Sequence, residues 1–298
     1  MFTGCGTALV TPFRLDLSLD EEGVRRLVRR QIDGGINFLV PCGTTGESPT
    51  LSQAEQRRVV EITIDEARGK VPVLAGAGGN NTAHVIELAR EFKELGANGI
   101  LSVSPYYNKP TQEGLYQHFK AIADAVPLPI ILYNIPGRTG VNIEPATVRR
   151  LAEIGNIVGV KEASGNISQM AVLLDIVPEK FLVLSGDDGV TLPLLALGGR
   201  GLISVVSNEI PGEMARLVQL ALANDFEAAR AIQRRYFRLM DVNFVETNPT
   251  PVKAGMALMG LCEPICRLPL AQVRPENLAK IRGVLESLGL VQQVYAAR

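Results

Sequence analysis

Short runs of apolar, often β-branched residues recur along the chain, and segments of helical length separate them. The starts of successive runs lie 20 to 33 residues apart. Each interval has room for one helix and two short loops. The eight runs that we interpret as strands are residues 7–13, 38–44, 71–78, 99–105, 129–136, 157–164, 181–188 and 201–208.

The segments between these runs show helical periodicity. In residues 82–95, Val85, Leu88, Ala89 and Phe92 fall on one face of a helix. Nearly continuous apolar strands that alternate with helices indicate a parallel sheet covered on both faces. Eight such units predict an α/β fold of the (β/α)₈ or TIM-barrel type. A doubly wound open sheet is the alternative, but no glycine-rich dinucleotide motif follows the first run.

The strand pattern stops near residue 224. Residues 225–243, 251–260 and 276–289 then read as helices without an intervening strand. We therefore expect a barrel domain over residues 1–224 and a C-terminal helical extension over residues 225–298, with no linker between them.

Composition and charge exclude several classes of protein. The 298 residues are 46% hydrophobic and 20% charged, which is typical of a globular protein with a large core. The net charge of −1 gives no basic surplus for nucleic acid or an anionic membrane. No apolar run approaches the ~18 residues of a membrane span, and the N-terminus lacks a signal-peptide pattern. We expect a cytoplasmic protein with neither a nucleic-acid nor a membrane partner.

Metal and triad chemistry have little support in the sequence. Only two histidines occur, on separate predicted helices, which disfavours a histidine-based metal site and a Ser-His-Asp triad. Cys262 and Cys266 could form a disulfide or bind a metal, but free buried thiols are the interpretation we favour. Asp187 and Asp188 suggest a helix N-cap more strongly than a metal site. We predict no metal.

A barrel places its active site at the carboxyl ends of its strands. Several of the predicted strand ends carry polar side chains. These are Thr44 and Thr45 after the second run, Tyr106 and Tyr107 after the fourth, Tyr133 and Arg138 at the fifth, and Lys161 in the sixth.

Lys161 is the only one of eight lysines that lies inside an apolar run. Alternation along the strand puts it on the same face as Ile157, Gly159 and Ala163, two of which are small enough for a crowded barrel interior. A buried ammonium is costly unless it is paired or loses its proton. A neutral amine could attack a ketone and form a Schiff base. The alternative is a lysine that extends to the barrel rim or pairs with an acid.

Neighbouring strand ends could supply the rest of such a site. Tyr133 could move protons, since no histidine is suitable, although an interior tyrosine is more often structural. The turn with Thr44 and Thr45 could hold a carboxylate, or it could be a plain turn. Arg138 could bind a second carboxylate, or it could form a surface ion pair.

Five motifs resemble the dihydrodipicolinate synthase family, which belongs to the wider group of pyruvate-dependent Schiff-base aldolases and N-acetylneuraminate lyases. The likeness extends over essentially the whole chain. The motifs are "GTTGE" at 43–47, "PYYNKPTQEGLYQHF" at 105–119, "YNIPGRTG" at 133–140, "GVKEASGN" at 159–166 and "SGDDG" at 185–189.

The resemblance implies a role for each strand-end residue. Lys161 would form the Schiff base with pyruvate, and Thr45 would hold the pyruvate carboxylate. Tyr133 would relay protons with help from Thr44. Tyr107 would complete the relay from a neighbouring subunit, within a homotetramer arranged as a dimer of dimers.

The resemblance also implies a second substrate, L-aspartate 4-semialdehyde. Arg138 would bind its carboxylate, while Gly186 and Ile203 would place backbone carbonyls near the reacting centre. The product would be 4-hydroxy-tetrahydrodipicolinate, on the route to lysine and diaminopimelate, and no cofactor would be needed. Arg138 favours this reaction over a sugar aldehyde, which calls for hydroxyl-binding groups. The alternatives are another Schiff-base aldolase of 2-keto acids (keto-deoxy-sugar-acid, 4-hydroxy-2-oxoglutarate or N-acetylneuraminate type) or a non-catalytic barrel that binds a keto acid.

A possible effector site departs from the family pattern. Asn80 and Tyr106 match the positions at which many members bind lysine as a feedback inhibitor. His84 stands where a glutamate commonly meets the effector's amino group, and Gln56 replaces a common histidine. A histidine is a poorer ligand for an ammonium than a carboxylate. Our hypothesis is weak or absent inhibition by lysine.

Overall fold

The computed structural model describes residues 1–292 and contains one parallel eight-stranded barrel. The strands are hydrogen-bonded in the order β2-β1-β8-β7-β6-β5-β4-β3. A parallel bridge between Leu39 and Val73, with the Leu39 amide donating to the Pro72 carbonyl at 3.0 Å, joins β2 to β3. The predicted barrel is therefore confirmed, and the open sheet is wrong. The strands are β1 Gly4–Ala8, β2 Phe38–Val40, β3 Leu74–Gly76, β4 Gly99–Val103, β5 Ile130–Asn134, β6 Ile157–Glu162, β7 Leu182–Ser185 and β8 Gly201–Ser204.

Helices alternate with these strands and then continue without strands. Two short 3₁₀ helices, Ser48–Thr50 and Val206–Asn208, follow β2 and β8. The three helices expected after residue 224 are present, with ends shifted by one or two residues. The α-helices are α1 Glu21–Asp33, α2 Gln53–Ala67, α3 Thr82–Glu94, α4 Gln112–Ala125, α5 Pro136–Thr139, α6 Pro145–Leu151, α7 Ile167–Ile176, α8 Thr191–Ala196, α9 Pro211–Leu222, α10 Phe226–Val242, α11 Thr250–Leu258 and α12 Pro275–Ser287.

Polar side chains fix where several helices begin. Ser52 and Glu55 form a reciprocal capping box at the start of α2. Asn81, Thr111 and Asn166 accept backbone N–H groups at the starts of α3, α4 and α7. These caps set the length of the loops at the carboxyl ends of the preceding strands.

The first strand lies earlier in the chain than the apolar pattern indicates. It spans Gly4–Ala8, whereas the sequence predicts residues 7–13. Gly6 makes the segment look unlike a strand, yet a Cβ there would lie 2.2 Å from the ring of Phe38. The glycine is needed because the Phe38 ring fills this part of the barrel interior.

The core has two layers, one inside the barrel and one between the strands and the helices. Because the inside is filled by side chains, open space for a ligand is left at the mouth of the barrel. No helix within residues 1–292 combines the length and apolarity that crossing a membrane requires. The interior cluster comprises Phe2, Ala8, Phe38, Val40, Leu74, Leu101, Ile131, Tyr133, Leu184 and Ile203.

Candidate active site

Lys161 and Tyr133 meet at the carboxyl ends of β6 and β5. They are paired directly in the parallel register of the two strands. The Lys161 Nζ atom lies 4.2 Å from the centroid of the Tyr133 ring. Both residues are 5% exposed. The structure therefore brings together the amine and the phenol that the sequence singled out.

A β-bulge decides which side of β6 faces the barrel interior. The register between β5 and β6 shifts between the first two residues of β5, which leaves Val158 as the extra residue. Ile157 consequently packs among the helices, while Val158 and Ala163 pack on the interior cluster. The prediction that Ala163 lies on the same face of the strand as Lys161 is therefore correct, whereas the same prediction for Ile157 is wrong. An apolar pattern alone does not reveal such a bulge.

Within residues 1–292, Lys161 is buried and has no acidic partner. Glu162, its neighbour in sequence, points to the other side of the strand, where its carboxylate accepts from the Asn134 side chain at 2.9 Å and the Ser164 amide at 2.7 Å. Among residues 1–292, the other buried lysine, Lys253, is in an ion pair with Glu47. Lys161 thus differs from a structural lysine, whose charge is balanced within the fold.

Gly186 leaves the space that the Lys161 side chain occupies. A Cβ at Gly186 would lie 2.9 Å from Lys161 Cε and 2.7 Å from Ala163 Cβ. Any larger residue would displace the lysine, because contacts under 3 Å to carbon do not occur without a shift. The predicted site residue Gly186 is therefore next to the amine.

Ile203 lies on β8 in the interior cluster together with Tyr133. The loop that follows it is held by Asp188, which accepts from the Ser204 hydroxyl and from the amides of Val205 and Val206. Burial raises the pKa of Asp188 to about 6, and these hydrogen bonds oppose the rise. The expectation that the acidic pair caps α8 is wrong, because Asp188 instead ties the loop after β7 to the loop after β8.

The turn after β2 carries Thr44 and Thr45 and is closed by backbone hydrogen bonds. The Glu47 amide donates to the Thr44 carbonyl at 3.1 Å, and the Gly46 carbonyl accepts from the Thr11 hydroxyl at 2.7 Å. Thr45 is 2% exposed, so its side chain points into the protein rather than to solvent.

A buried ion pair anchors this turn. Lys253 Nζ on α11 lies 2.6 Å from Glu47 Oε1 and 2.9 Å from the Thr11 carbonyl. Both side chains of the ion pair are 0% exposed, and the Arg267 amide donates to the second Glu47 oxygen at 3.0 Å. The C-terminal helices therefore fix the position of the turn that bears both threonines. Lys253 lies near the start of α11, and its pairing with Glu47 makes it structural.

Asn248 links Thr45 to Arg138, and sequence reasoning did not identify it as a site residue. Its Nδ2 atom donates to Thr45 Oγ1 at 3.0 Å. Its backbone carbonyl accepts from Arg138 Nη2 at 3.1 Å. Arg138 is thus held by a backbone carbonyl, and within residues 1–292 it does not form the surface ion pair that was the alternative interpretation. The sequence signals its importance only through the segment "NPTPVK" at residues 248–253, to which the resemblance to the synthase family extends.

One cavity of about 480 Å³ connects two of the predicted catalytic residues, Thr44 and Tyr133, with the predicted effector residues, while Lys161 and Thr45 lie outside its lining. Thr44, Tyr133 and Arg138 line one part of it. The remaining part extends along the start of α3 and the loop after β4, and its lining includes Asn80, His84, Tyr106, Ser48 and Gln56. The two predicted sites therefore adjoin each other within a single chain.

Tyr107 lies outside the cavity formed by its own chain. It is 89% exposed and has a left-handed backbone with φ 73°. The loop that carries it is held by Asn80, whose side chain donates to the Tyr106 carbonyl at 3.3 Å, and by Asn108, whose side chain donates to the Asn80 carbonyl at 3.0 Å. A large aromatic side chain so fully exposed on a fixed loop suits contact with another molecule.

No cluster of three or more histidine, cysteine, aspartate or glutamate side chains suited to a metal ion occurs within the described part of the chain. The four cysteines are free thiols. Burial raises the pKa of Cys42 to about 12, so this thiol stays protonated at neutral pH.

Comparisons with known proteins identify relatives over the full length. Residues 1–288 match the family described as "Dihydrodipicolinate synthetase family". The 4-hydroxy-tetrahydrodipicolinate synthase of Chloroherpeton thalassium is 54% identical over 291 residues, which cover 97% of this chain and 96% of that relative. The enzyme of the same name from Koribacter versatilis is 53% identical and covers 99% of both chains. The crystal structure of dihydrodipicolinate synthase from Aquifex aeolicus superposes with a TM-score of 0.96 at 45% identity, covering 98% of this chain and all of that one.

Proposed function

Because the chain belongs to the dihydrodipicolinate synthetase family, we propose that it condenses pyruvate with L-aspartate 4-semialdehyde. The product is 4-hydroxy-tetrahydrodipicolinate, and the enzyme is a lyase of lysine and diaminopimelate biosynthesis in the cytoplasm. The observation that carries the proposal is the buried, unpaired amine of Lys161 above the Tyr133 ring at the mouth of the barrel.

Lys161 is the nucleophile in this proposal. Its neutral amine adds to the ketone of pyruvate, and loss of water gives an imine. Loss of a proton from the methyl group converts the imine to an enamine, because the imine nitrogen accepts the electron pair. The enamine carbon then attacks the aldehyde. The amine of the second substrate adds to the imine carbon, closes the ring and expels the Lys161 amine, so that one water is released overall.

Each of these steps moves a proton, and Tyr133 is the group placed to move it. Its ring lies under the Lys161 amine, and both Tyr133 and Thr44 line the cavity. We assign Tyr133 as the proton relay with Thr44 beside it. Tyr107 completes the relay from a neighbouring subunit, since within its own chain it is exposed and does not line the cavity. The active unit is then a dimer, and two such dimers form the tetramer.

Two carboxylates have to be recognised, one on each substrate. Thr45 is assigned to the carboxylate of pyruvate, because its buried hydroxyl lies on the turn next to Thr44. Arg138 is assigned to the carboxylate of the semialdehyde, because it lines the same cavity and its guanidinium can bind a carboxylate with two hydrogen bonds. Gly186 and Ile203 contribute backbone carbonyls near the amine.

The same cavity offers a place for an effector beside the site. Asn80, His84 and Tyr106 line it, as the effector assignment requires. The His84 side chain is about half exposed, and its Nδ1 lies 3.9 Å from Glu87 Oε2. An imidazole is a poorer ligand for an ammonium group than a carboxylate, which accepts hydrogen bonds through two charged oxygens. We propose that lysine binds here weakly or not at all.

Substrate choice is tested by pyruvate consumption with L-aspartate 4-semialdehyde, compared with short-chain and sugar aldehydes that lack a carboxylate. We expect turnover with the semialdehyde, and a loss of about a hundredfold in kcat/KM for it in Arg138→Ala. Arg149→Ala is the control, since Arg149 forms an exposed pair with Glu153 on the outside of the barrel. No turnover with the semialdehyde, together with cleavage of another 2-keto acid to pyruvate, would assign the chain to a different aldolase.

A further inference from the structure

Asn248 lies between the two residues assigned to the substrate carboxylates. Its side-chain Nδ2 donates to Thr45 Oγ1 at 3.0 Å, and its backbone carbonyl accepts from Arg138 Nη2 at 3.1 Å. The residue is 4% exposed and lies two positions before the helix that carries Lys253. One residue of the C-terminal extension thus contacts both carboxylate-binding side chains.

The direction of the Thr45 hydrogen bond has a chemical consequence. A threonine hydroxyl has one hydrogen to donate and two lone pairs that accept. Because the Asn248 amide donates, it uses a lone pair of Thr45 Oγ1 and leaves the hydroxyl hydrogen unused. That hydrogen is then available to a carboxylate, which only accepts hydrogen bonds.

We propose that Asn248 is a positioning residue for pyruvate, which acts by keeping the Thr45 hydroxyl oriented as a donor to the pyruvate carboxylate. It fixes the Arg138 guanidinium through its backbone, so that its side chain and main chain serve different substrates. This inference rests on the proposed function, because it requires pyruvate to bind at Thr45.

Asn248 hydrogen-bonds through only one end of its buried side-chain amide, in contrast to Asn134. Within residues 1–292 its Oδ1 atom is buried and has no hydrogen-bond partner. Asn134, another buried asparagine near the site, is satisfied at both ends: its Oδ1 accepts from the Ile143 amide at 2.9 Å, and its Nδ2 donates to Glu162 at 2.9 Å. A buried amide oxygen without a partner costs stability, which an apolar residue here would avoid.

Substitutions at Asn248 separate the effect of the hydrogen bond that its side chain donates from the effect of the shape of that side chain. Asn248→Asp keeps the shape but presents an acceptor, which takes the Thr45 hydrogen and adds charge near the bound carboxylate. Asn248→Leu keeps the volume but cannot donate. Asn248→Gln keeps a donor. Asn277 provides the matched control, since it is also buried in the C-terminal helices and donates to Glu246 at 2.8 Å.

The experiment measures the pyruvate concentration that gives half-maximal adduct after borohydride reduction, with no semialdehyde present. We expect an increase of about tenfold in Asn248→Asp and about fivefold in Asn248→Leu, with substantial recovery in Asn248→Gln. KM for the semialdehyde should change by less than about twofold, because Arg138 is held by the backbone. Asn277→Asp and Asn277→Leu should lower Tm without changing either value.

A double-mutant cycle tests whether Asn248 acts through Thr45. In a Thr45→Val background, Asn248→Leu should change the half-saturation by less than about twofold. A full fivefold effect in that background, or unchanged half-saturation in both Asn248→Asp and Asn248→Leu, would overturn the positioning role. If the parent enzyme forms no adduct, the proposed function fails and this inference fails with it. An adduct in the parent that Asn248 does not influence refutes the positioning role alone.

Discussion

Tyr133 and Lys161 are direct partners across β5 and β6, and the lysine amine lies 4.2 Å above the centre of the tyrosine ring. The register of two adjacent strands thus sets the distance between the proposed nucleophile and the proposed proton relay. The pairing is rigid because both residues are buried among the strands of the barrel.

Tyr133→Phe should remove the hydroxyl that relays protons and leave the packing of the aromatic ring in the barrel interior unchanged. We expect kcat to fall by about 10² to 10³, since positioned proton transfer contributes on that scale, while the adduct on Lys161 still forms more slowly. Steady-state kinetics and adduct formation over time measure the two effects. Tyr236→Phe, a buried tyrosine on α10, is the control. A kcat within about twofold of the parent would remove Tyr133 from the relay.

His84→Glu should introduce sensitivity to lysine. A carboxylate at this position in the cavity can form a charge-assisted hydrogen bond with the effector's ammonium, for which an imidazole is a poorer partner. We expect little inhibition of the parent by lysine and an increase in apparent affinity of about tenfold or more in the variant. Glu87→Gln controls for changes in charge along the same helix. Strong inhibition of the parent at low lysine concentration would show that His84 serves the effector after all.

Lys253→Met should destabilise the fold strongly, because it leaves Glu47 charged and buried without a partner. The expected loss is about 3–5 kcal/mol in the free energy of unfolding. The double variant with Glu47→Gln should recover part of this loss. Lys120→Met, which breaks an exposed pair with Asp124, should cost less than about 1 kcal/mol. Denaturant unfolding measures all three, and equal small losses would mean that the buried pair does not anchor the turn.

Glu209 should make the fold less stable as the pH rises. Burial raises the pKa of this carboxyl from its ordinary 4.5 to about 8, with Asp188 adding to the rise while Asn243 and Arg30 oppose it. Between these values the folded chain holds a proton that the unfolded chain has released. Stability is therefore highest at the acid end of this window and falls as the pH approaches about 8.

Glu209→Gln isolates this contribution. Between about pH 6 and about pH 8, the free energy of unfolding of the parent should fall by on the order of 2 kcal/mol relative to that of the variant. The lower limit of this range is close to the pKa of Asp188, which is about 6. Unfolding free energies at a series of pH values give the comparison. Parallel pH profiles for parent and variant would contradict the buried protonated carboxyl.

Much of the architecture could be predicted because its signals are local. Seven of the eight strands lie inside the predicted runs, and the predicted apolar face of residues 82–95 is buried in α3. The first strand differs from the predicted run because Gly6 is required by the close approach of the Phe38 ring, which is distant from it in the sequence. The bulge that turns Ile157 outward likewise depends on the pairing of β6 with β5.

The site could be predicted in part for the same reason. Lys161 and Tyr133 stand out because each interrupts an apolar strand. Asn248 could not be found from its own surroundings, because its partners Thr45 and Arg138 are 203 and 110 residues away in the chain. Asn248 of the C-terminal extension reaches the site only through contacts between residues that are distant in the chain, which a local sequence pattern does not reveal.

The most direct test of the account is to treat the enzyme with pyruvate and borohydride and then to map the modified peptide. We expect one reduced pyruvate adduct per chain on Lys161, none without pyruvate, and none in Lys161→Ala. An adduct on any other lysine, or no adduct in a folded enzyme that still consumes pyruvate, would contradict the assignment of Lys161 as the nucleophile.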